Sequence, residues 1–229
     1  IGQKSINNIV DAANFVLMDT GHPMHTFDLS KIKSKEINVR FAESGEKITT
    51  LDDVERELKD YHLLICDGKP PVALGGIMGG ANSVIDDATT DILIESAYFK
   101  PTVIRKGAKR FDLSTEASKR FERDTDIEAV IPALAQLSAL IQEVAGGDIL
   151  GGIIDNYPTK KNSQCVDFSI ENCNSFLGSN FSISQAKDIF QKLSIAVEEK
   201  GDFLQCTIPS FRNDLEREVD LFEEIQRKN

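Results

Sequence analysis

The sequence predicts an α+β chain in two parts, a larger mixed-sheet domain with flanking helices at about residues 1–158 and a smaller α/β module at about 159–229. Three observations carry this. Residues 37–99 hold short β-rich runs separated by Gly, Asp and Pro. Apolar residues at helical spacing stand on both sides of that block. The stretch GDILGGIIDNYPTKKNSQ joins a strand-like run to Pro158 and a polar tail, the clearest shift of composition in the chain.

The first helix is expected from Ser5. SINNIVDAANFVLMDTG offers an N-cap serine, apolar Ile6, Ile9, Val10, Ala13, Val16 and Leu17 at helical spacing, and a closing Gly21. INVRFA, KITTLD, HLLICDG, PVALGG and DILIESAYF read as strands. Pro101 opens a helix, since its missing N–H is not needed at the first position, and basic helical turns follow through Arg123. A longer amphipathic helix covers roughly Asp126 to Val144 and stops at Gly146-Gly147. In the second part VDFSI is a strand, SISQAKDIFQKLSI a helix capped by Ser182 or Ser184, and AVEEKGDFLQCTIP a hairpin turning at Lys200-Gly201-Asp202. RNDLEREVDLFEEIQRK reads as a last helix.

With 37 acidic against 26 basic side chains and a net charge of -11, general affinity for duplex nucleic acid is not expected, so any RNA contact must be local. No apolar run approaches the roughly 18 to 20 residues that span a bilayer, and Ile1-Gly2-Gln3-Lys4 shows neither an initiator methionine nor a signal-peptide pattern. A piece of a longer soluble, cytoplasmic chain is expected, without membrane partners. Cys66, Cys165, Cys173 and Cys206 are scattered without a C-x-x-C pair, which favours reduced core thiols over zinc or disulfides.

The run LGGIMGGANS places Gly75, Gly76, Gly79 and Gly80 between a strand and a polar loop. Glycine permits positive φ and close approach of a ligand to backbone N–H groups, so the run is either a tight turn with a bulge or a ligand-binding turn. It matches neither nucleotide-phosphate fingerprint. His22 and His25 in GHPMHTFD are separated by Pro23, so they need not share a face, and without a third ligand zinc is weakly supported. Glu95 interrupts the apolar ILIESAYF on the phase of Leu93, Ala97 and Phe99. Buried there, it must be an ion-pair member or a hydrogen-bonding group at the base of a pocket. Residues 100–123 carry Lys100, Arg105, Lys106, Lys109, Arg110, Lys119, Arg120 and Arg123, the one strongly basic segment, which either holds a phosphodiester stretch or is a solvated face. Asp220, Glu223 and Glu224 share a helical face near Asp214; solvent with Arg212 and Arg217, or a hard divalent cation, would relieve their repulsion.

Four motifs in order, NFVLMDTGHPMHTFD, LGGIMGG, ILIESAYFKP and RFDLSTEASKRFERDTD, resemble the editing domain of bacterial phenylalanyl-tRNA synthetase beta subunits over roughly Ser5 to Tyr157. IPSFRNDLEREVDLFEEI resembles the close of the winged-helix-like module that follows it there. The resemblance implies hydrolysis of tyrosine wrongly attached to phenylalanine tRNA, and since no Ser-His-Asp or Cys-His set is evident, direct water attack on the ester is expected rather than a covalent intermediate. It assigns His25, Thr115 and Gly79 to catalysis: His25 and Thr115 to order the water or terminal ribose, and backbone around Gly79 to stabilise the oxyanion. Glu95, Ala117, Gly76 and Gly80 would bind substrate, Glu95 accepting from the tyrosine hydroxyl so that phenylalanine leaves a buried polar group unpaired. Arg105, Lys109, Arg110 and Arg120 would contact the tRNA 3′ end. Asp214, Asp220, Glu223 and Glu224 match carboxylates that share Mg²⁺ with the alpha subunit of an alpha-two, beta-two enzyme, where the ATP and phenylalanine sites lie; the editing step needs no cofactor, and the fragment alone is expected to bind the metal weakly or not at all. The chain departs from the family pattern at Asp124, where glycine is common, and at Ile127, where proline is common, which puts the local turn in question. The rival expectations are a non-catalytic assembly or RNA-binding piece of the same enzyme, and a helix-turn-helix regulator built on 159–229.

Overall fold

Asn7, rather than the expected Ser5, starts the first helix, α1 (Asn8–Thr20), accepting from the Val10 N–H. Gly21 ends it in left-handed backbone at φ 73°, with its N–H on the Leu17 carbonyl. Ser5 lies outside the helix and hydrogen-bonds Asp11. The computed structural model describes residue 2 and residues 4–227, which divide into two units, Ile1–Gly151 and Gly152–Asn229.

The first unit holds three small sheets. β1 (Met24–Asp28) pairs with β8 (Ile92–Ser96) as a ribbon; β2 (Ile37–Phe41), β5 (Leu63–Asp67), β6 (Pro71–Leu74) and β7 (Met78–Gly79) form a sheet in the order β2-β5-β6-β7; β3 (Lys47–Thr49) pairs with β4 (Glu55–Glu57). Every pairing among the described residues is antiparallel. The mixed sheet expected from the sequence is therefore corrected: β5, β6 and β7 are joined by turns too short for the dozen or more residues that a parallel crossover requires. β1 is a strand that the sequence analysis does not predict. Pro23 stands just ahead of the first strand residue, where its missing N–H interrupts no ladder bond.

The β1–β8 ribbon lies between two cores. Met24, Ile92 and Ile94 pack with Ala12, Ala13 and Val16 of α1 and with Ala133, Leu137 and Ile141 of α4 (Val130–Ala145). Phe27, Leu93 and Ala97 join the larger core built on Leu64, Leu74, Ile77, Phe99, Ile104 and Phe121. Alternation of side chains along each strand makes this division possible.

Pro101 opens α2 (Pro101–Arg110), and α3 (Glu116–Phe121) follows a break over 111–115. Asp124 adopts φ 74°, backbone that glycine takes freely, so the turn in question keeps its left-handed shape with a costlier residue. A 3₁₀ turn, Ile127–Ala129, extends α4, and the stretch Ile127–Ala145 is long and apolar enough by composition to cross a membrane, with mean hydropathy 1.3. That corrects the expectation that no run approaches this length. Alanines and aliphatics offset Glu128 and Gln136, and the buried side of the helix packs on α1.

In the second unit, β9 (Gln164–Phe168), β10 (Ala196–Lys200) and β11 (Phe203–Ile208) form an antiparallel sheet in the order β10-β11-β9. Around it stand α5 (Ile170–Leu177), α6 (Ile183–Lys192), with a Ser182–Gln185 capping box, and α7 (Glu218–Arg227). Phe168, Phe190, Leu204, Leu221 and Ile225 fill its core. The last helix starts later than expected, because 212–217 make turns; Lys228, its expected close, lies outside the described residues.

Candidate functional site

The β1–β8 register sets His25 directly opposite Glu95, on the side of the ribbon that faces the larger core. Directly opposite residues have neighbouring side chains. Part of Glu95 reaches the surface, yet its Oε2 is enclosed and has no hydrogen-bond partner. Burial alone pushes the carboxyl up to about 7, and burial holds the neighbouring His25 imidazole down to about 4. Near neutral pH the histidine is uncharged, and the acid titrates without a cation beside it. Of the two roles left open for Glu95, the ion pair is absent among the described residues.

Gly79 brings the glycine turn to this pair. A Cβ on Gly79 would stand 2.6 Å from His25 Cε1 and 2.8 Å from Nε2, so only glycine lets the ring lie there undisturbed. Gly75 and Gly76 form the β6–β7 turn, in which Gly76 (φ 67°) is pressed by Phe99 and Ile104. Ile77 N–H donates to the Leu74 carbonyl, and Gly80 N–H donates to Val72 O at 2.8 Å. Antiparallel alternation then makes Ala73–Gly79 the non-bonded pair, which turns the Gly79 N–H away from β6. The Gly75 N–H is taken by the Leu63 carbonyl of β5 at 2.9 Å.

Thr115 caps α3, accepting from Ser118 N–H and donating its hydroxyl to the Ile77 carbonyl at 2.8 Å. The hydroxyl proton is thus committed to the Ile77 carbonyl, which ties the glycine turn to α3. Ala117, two residues further, packs half-buried on the larger core.

The basic segment divides in two. Arg105, Lys106, Lys109 and Arg110 lie exposed on α2, while Lys119 and Arg120 pair with Glu116 at 3.2 and 2.7 Å. The four carboxylates of the second unit each face arginine: Asp214 and Glu224 meet Arg212, Asp220 meets Arg217, and Glu223 meets Arg227. Among the described residues no three His, Cys, Asp or Glu side chains converge as a metal set, so these residues of this chain do not fit magnesium. A groove of about 420 Å³ lies beside α7, lined by Phe176, Leu177, Arg217, Val219 and Glu223, remote in sequence from Glu95.

Sequence reasoning missed the Ile77 carbonyl, whose role depends on a bond spanning 38 residues. It also gave no reason to bury His22, whose ring lies against Phe121 with both nitrogens lacking partners. Nothing local signals that burial.

The B3/4 domain model matches residues 1–146, and the tRNA synthetase B5 domain model matches 166–228. The chain belongs to the B3/4 domain family. It is 48% identical over its whole length to the phenylalanine–tRNA ligase beta subunit of Geobacter sulfurreducens, covering 29% of that protein. It is 44% identical over 99% of its length to the Thermotoga maritima subunit of the same name, covering 28%. The chain thus spans under a third of the length of these relatives. An N-terminal fragment of the phenylalanyl-tRNA synthetase beta subunit from Pyrococcus horikoshii aligns with 95% of this chain and 64% of its own, at 15% identity and TM-score 0.45, a likeness too loose to carry an argument.

Proposed function

We propose that the first unit, taken as residues 1–158, proofreads a phenylalanine–tRNA ligase by hydrolysing tyrosine misattached to phenylalanine tRNA. The observation that carries this reading is the enclosed, unpartnered Glu95 carboxyl beside His25 and Gly79. A buried polar atom without a partner is costly, and a phenol supplies one where a bare phenyl ring does not. Ala117 leaves room for the ring.

In the proposed reaction water attacks the ester carbonyl, and the Gly79 N–H faces the developing oxyanion. The C–O bond to the ribose then breaks, the ribose oxygen takes a proton, and free tyrosine leaves. A histidine held near 4 is a weak base, so His25 orients the water through its ring lone pair. Gly76 and Gly80 shape the turn, and Thr115 holds it.

The 159–229 module is proposed as a winged-helix-like piece that joins the beta subunit to tRNA and to an alpha subunit in a cytoplasmic alpha-two, beta-two enzyme. Any shared Mg²⁺ there would need ligands that this chain does not contribute as a set, and would require the Arg212 and Arg217 pairs to open.

The test compares deacylation of tyrosyl- and phenylalanyl-tRNA specific for phenylalanine by the parent protein and by Glu95→Ala. Loss of one hydrogen bond to such a group predicts a fall in tyrosine preference of about 10- to 100-fold. An unchanged preference would remove the reading.

A further inference from the structure

The sheet β2-β5-β6-β7 ends at β2, in an edge that no strand covers among the described residues. The register decides which backbone groups stand there. Gly68 N–H donates to the Glu36 carbonyl and Ala42 N–H to the His62 carbonyl, so residues 36, 38, 40 and 42 are the ones that bond toward β5. The N–H and C=O groups of Ile37, Val39 and Phe41 therefore point outward. Of these, the Phe41 carbonyl accepts from the Arg40 guanidinium at 3.1 Å and keeps a second lone pair.

The same three residues carry an apolar stripe. They alternate with Asn38 and Arg40, so their side chains share one face of the strand. Ile37 is 40% exposed, Val39 55% and Phe41 52%. Folds ordinarily blunt an edge that is apolar on one face and open along its ladder, with lysine, proline or a covering segment. Here the one cation of the strand, Arg40, turns to the other face and is held by Glu46 at 2.7 Å.

The stripe is symmetric about Val39. Laid antiparallel on a copy of itself around a two-fold axis there, the strand sets Val39 against Val39, Ile37 against Phe41 and Asn38 against Arg40. Each outward residue then exchanges both backbone bonds with its opposite. Beyond the strand ends the same register brings Lys35 opposite Glu43, both of them exposed. An axis at Arg40 would instead set Arg40 against its own copy and Ile37 against Glu43.

We propose that β2 is a self-recognition edge, through which two copies of this chain pair antiparallel about Val39 into one continuous sheet. A second copy is the occupant because ladder, apolar stripe and end charges all match at a single register. A strand of five residues a side falls short of the roughly 1,200 Å² at which stable interfaces begin. The pairing is therefore weak, with a dissociation constant between about 1 µM and 1 mM. It is independent of the hydrolytic reading.

Sedimentation velocity of the 229-residue chain, over that concentration range, tests this. The mass is expected to rise with concentration toward that of a dimer and to stop there. Val39→Lys and Val39→Glu each place like charges on the axis and are expected to weaken association at least about tenfold. Mixed one to one, the two variants set lysine opposite glutamate and are expected to regain the association of the parent. Ile154→Lys, at a fully exposed aliphatic of the second unit, is expected to change it less than about twofold. Thermal melts verify folding. Should a Val39 variant fail to fold, Lys35→Glu and Glu43→Lys repeat the design beyond the strand: each alone weakens association, and both in one chain restore it. A parent that stays monomeric throughout would leave the edge to a strand of some other chain and overturn the proposal. So would association that continues past the dimer, Val39 variants that associate as the parent does, or a mixture no tighter than its components.

Discussion

Glu95 in the first unit and Glu224 in the second are both shielded carboxylates on regular elements, one on a ribbon and one on a helix. Glu224 is 9% exposed and takes a 2.6 Å bond from Arg212, which also binds Asp214. Glu95 has an enclosed oxygen with no partner at all, and its carboxyl titrates near 7. Equal chemistry thus has opposite outcomes. A buried charge answered from within the fold is part of the scaffold, whereas one left unanswered keeps its bonding capacity for something that arrives.

The largest effect expected is at the answered site. Arg212→Ala strands Glu224 and weakens Asp214, which should cost the second unit about 3 kcal/mol, read as lost hydrogen-exchange protection of α7 amides. Undiminished protection would mean that the pair is not what settles this charge. At the unanswered site the sign reverses. Glu95 titrates near 7 in the fold against 4.5 unfolded, so between those values the native state holds the extra proton and stability falls as pH rises. Glu95→Gln should therefore stabilise the first unit by about 2 to 3 kcal/mol at pH 8 and by nothing at pH 4. A gain independent of pH would break the contrast.

Gly79→Ala is expected to cost about 1 to 2 kcal/mol by displacing the His25 ring. The displaced imidazole should also titrate above its present value of about 4, which the NMR shift of its Cε1 proton would track. A ring that titrates as before would separate the glycine from the site. Smallest of all is Arg217→Ala: the arginine is 74% exposed against Asp220, and a loss of under about 0.5 kcal/mol is expected in the same exchange experiment. A large loss there would erase the distinction between surface and shielded pairs.

What was legible in the sequence follows from how local its causes are. The left-handed Gly21 and the stop at Gly146, the Pro101 start and the Ser182 cap all act within a turn of the helix they bound, and each stands where its residue announces it. β1 exists because a distant strand offers ladder bonds, β4 and β7 are runs of three and two residues that pair with the strand just before them, and α5 was hidden in a polar stretch, so local propensity concealed them. The same division holds at the site. The facing of Glu95 could be read from its phase with Leu93 and Ala97. Its meeting with His25 required a register between segments 70 residues apart, and the Arg212–Glu224 bond spans 12 residues from turn to helix. The roles of the individual side chains came from family likeness, because spacing fixes position and not chemistry.

The two-stranded ribbon that bears His25 and Glu95 has no rigid layer of its own behind it, only the α1–α4 helix pair seated on its reverse side through Met24, Ile92 and Ile94. On the proposed function, selectivity for a phenol at the front would be inherited from the fit of aliphatic side chains at the back. A substitution such as Leu137→Ala, touching no ligand and no titratable group, would loosen the plank on which the acid stands and register as a lapse in accuracy before it registered as unfolding.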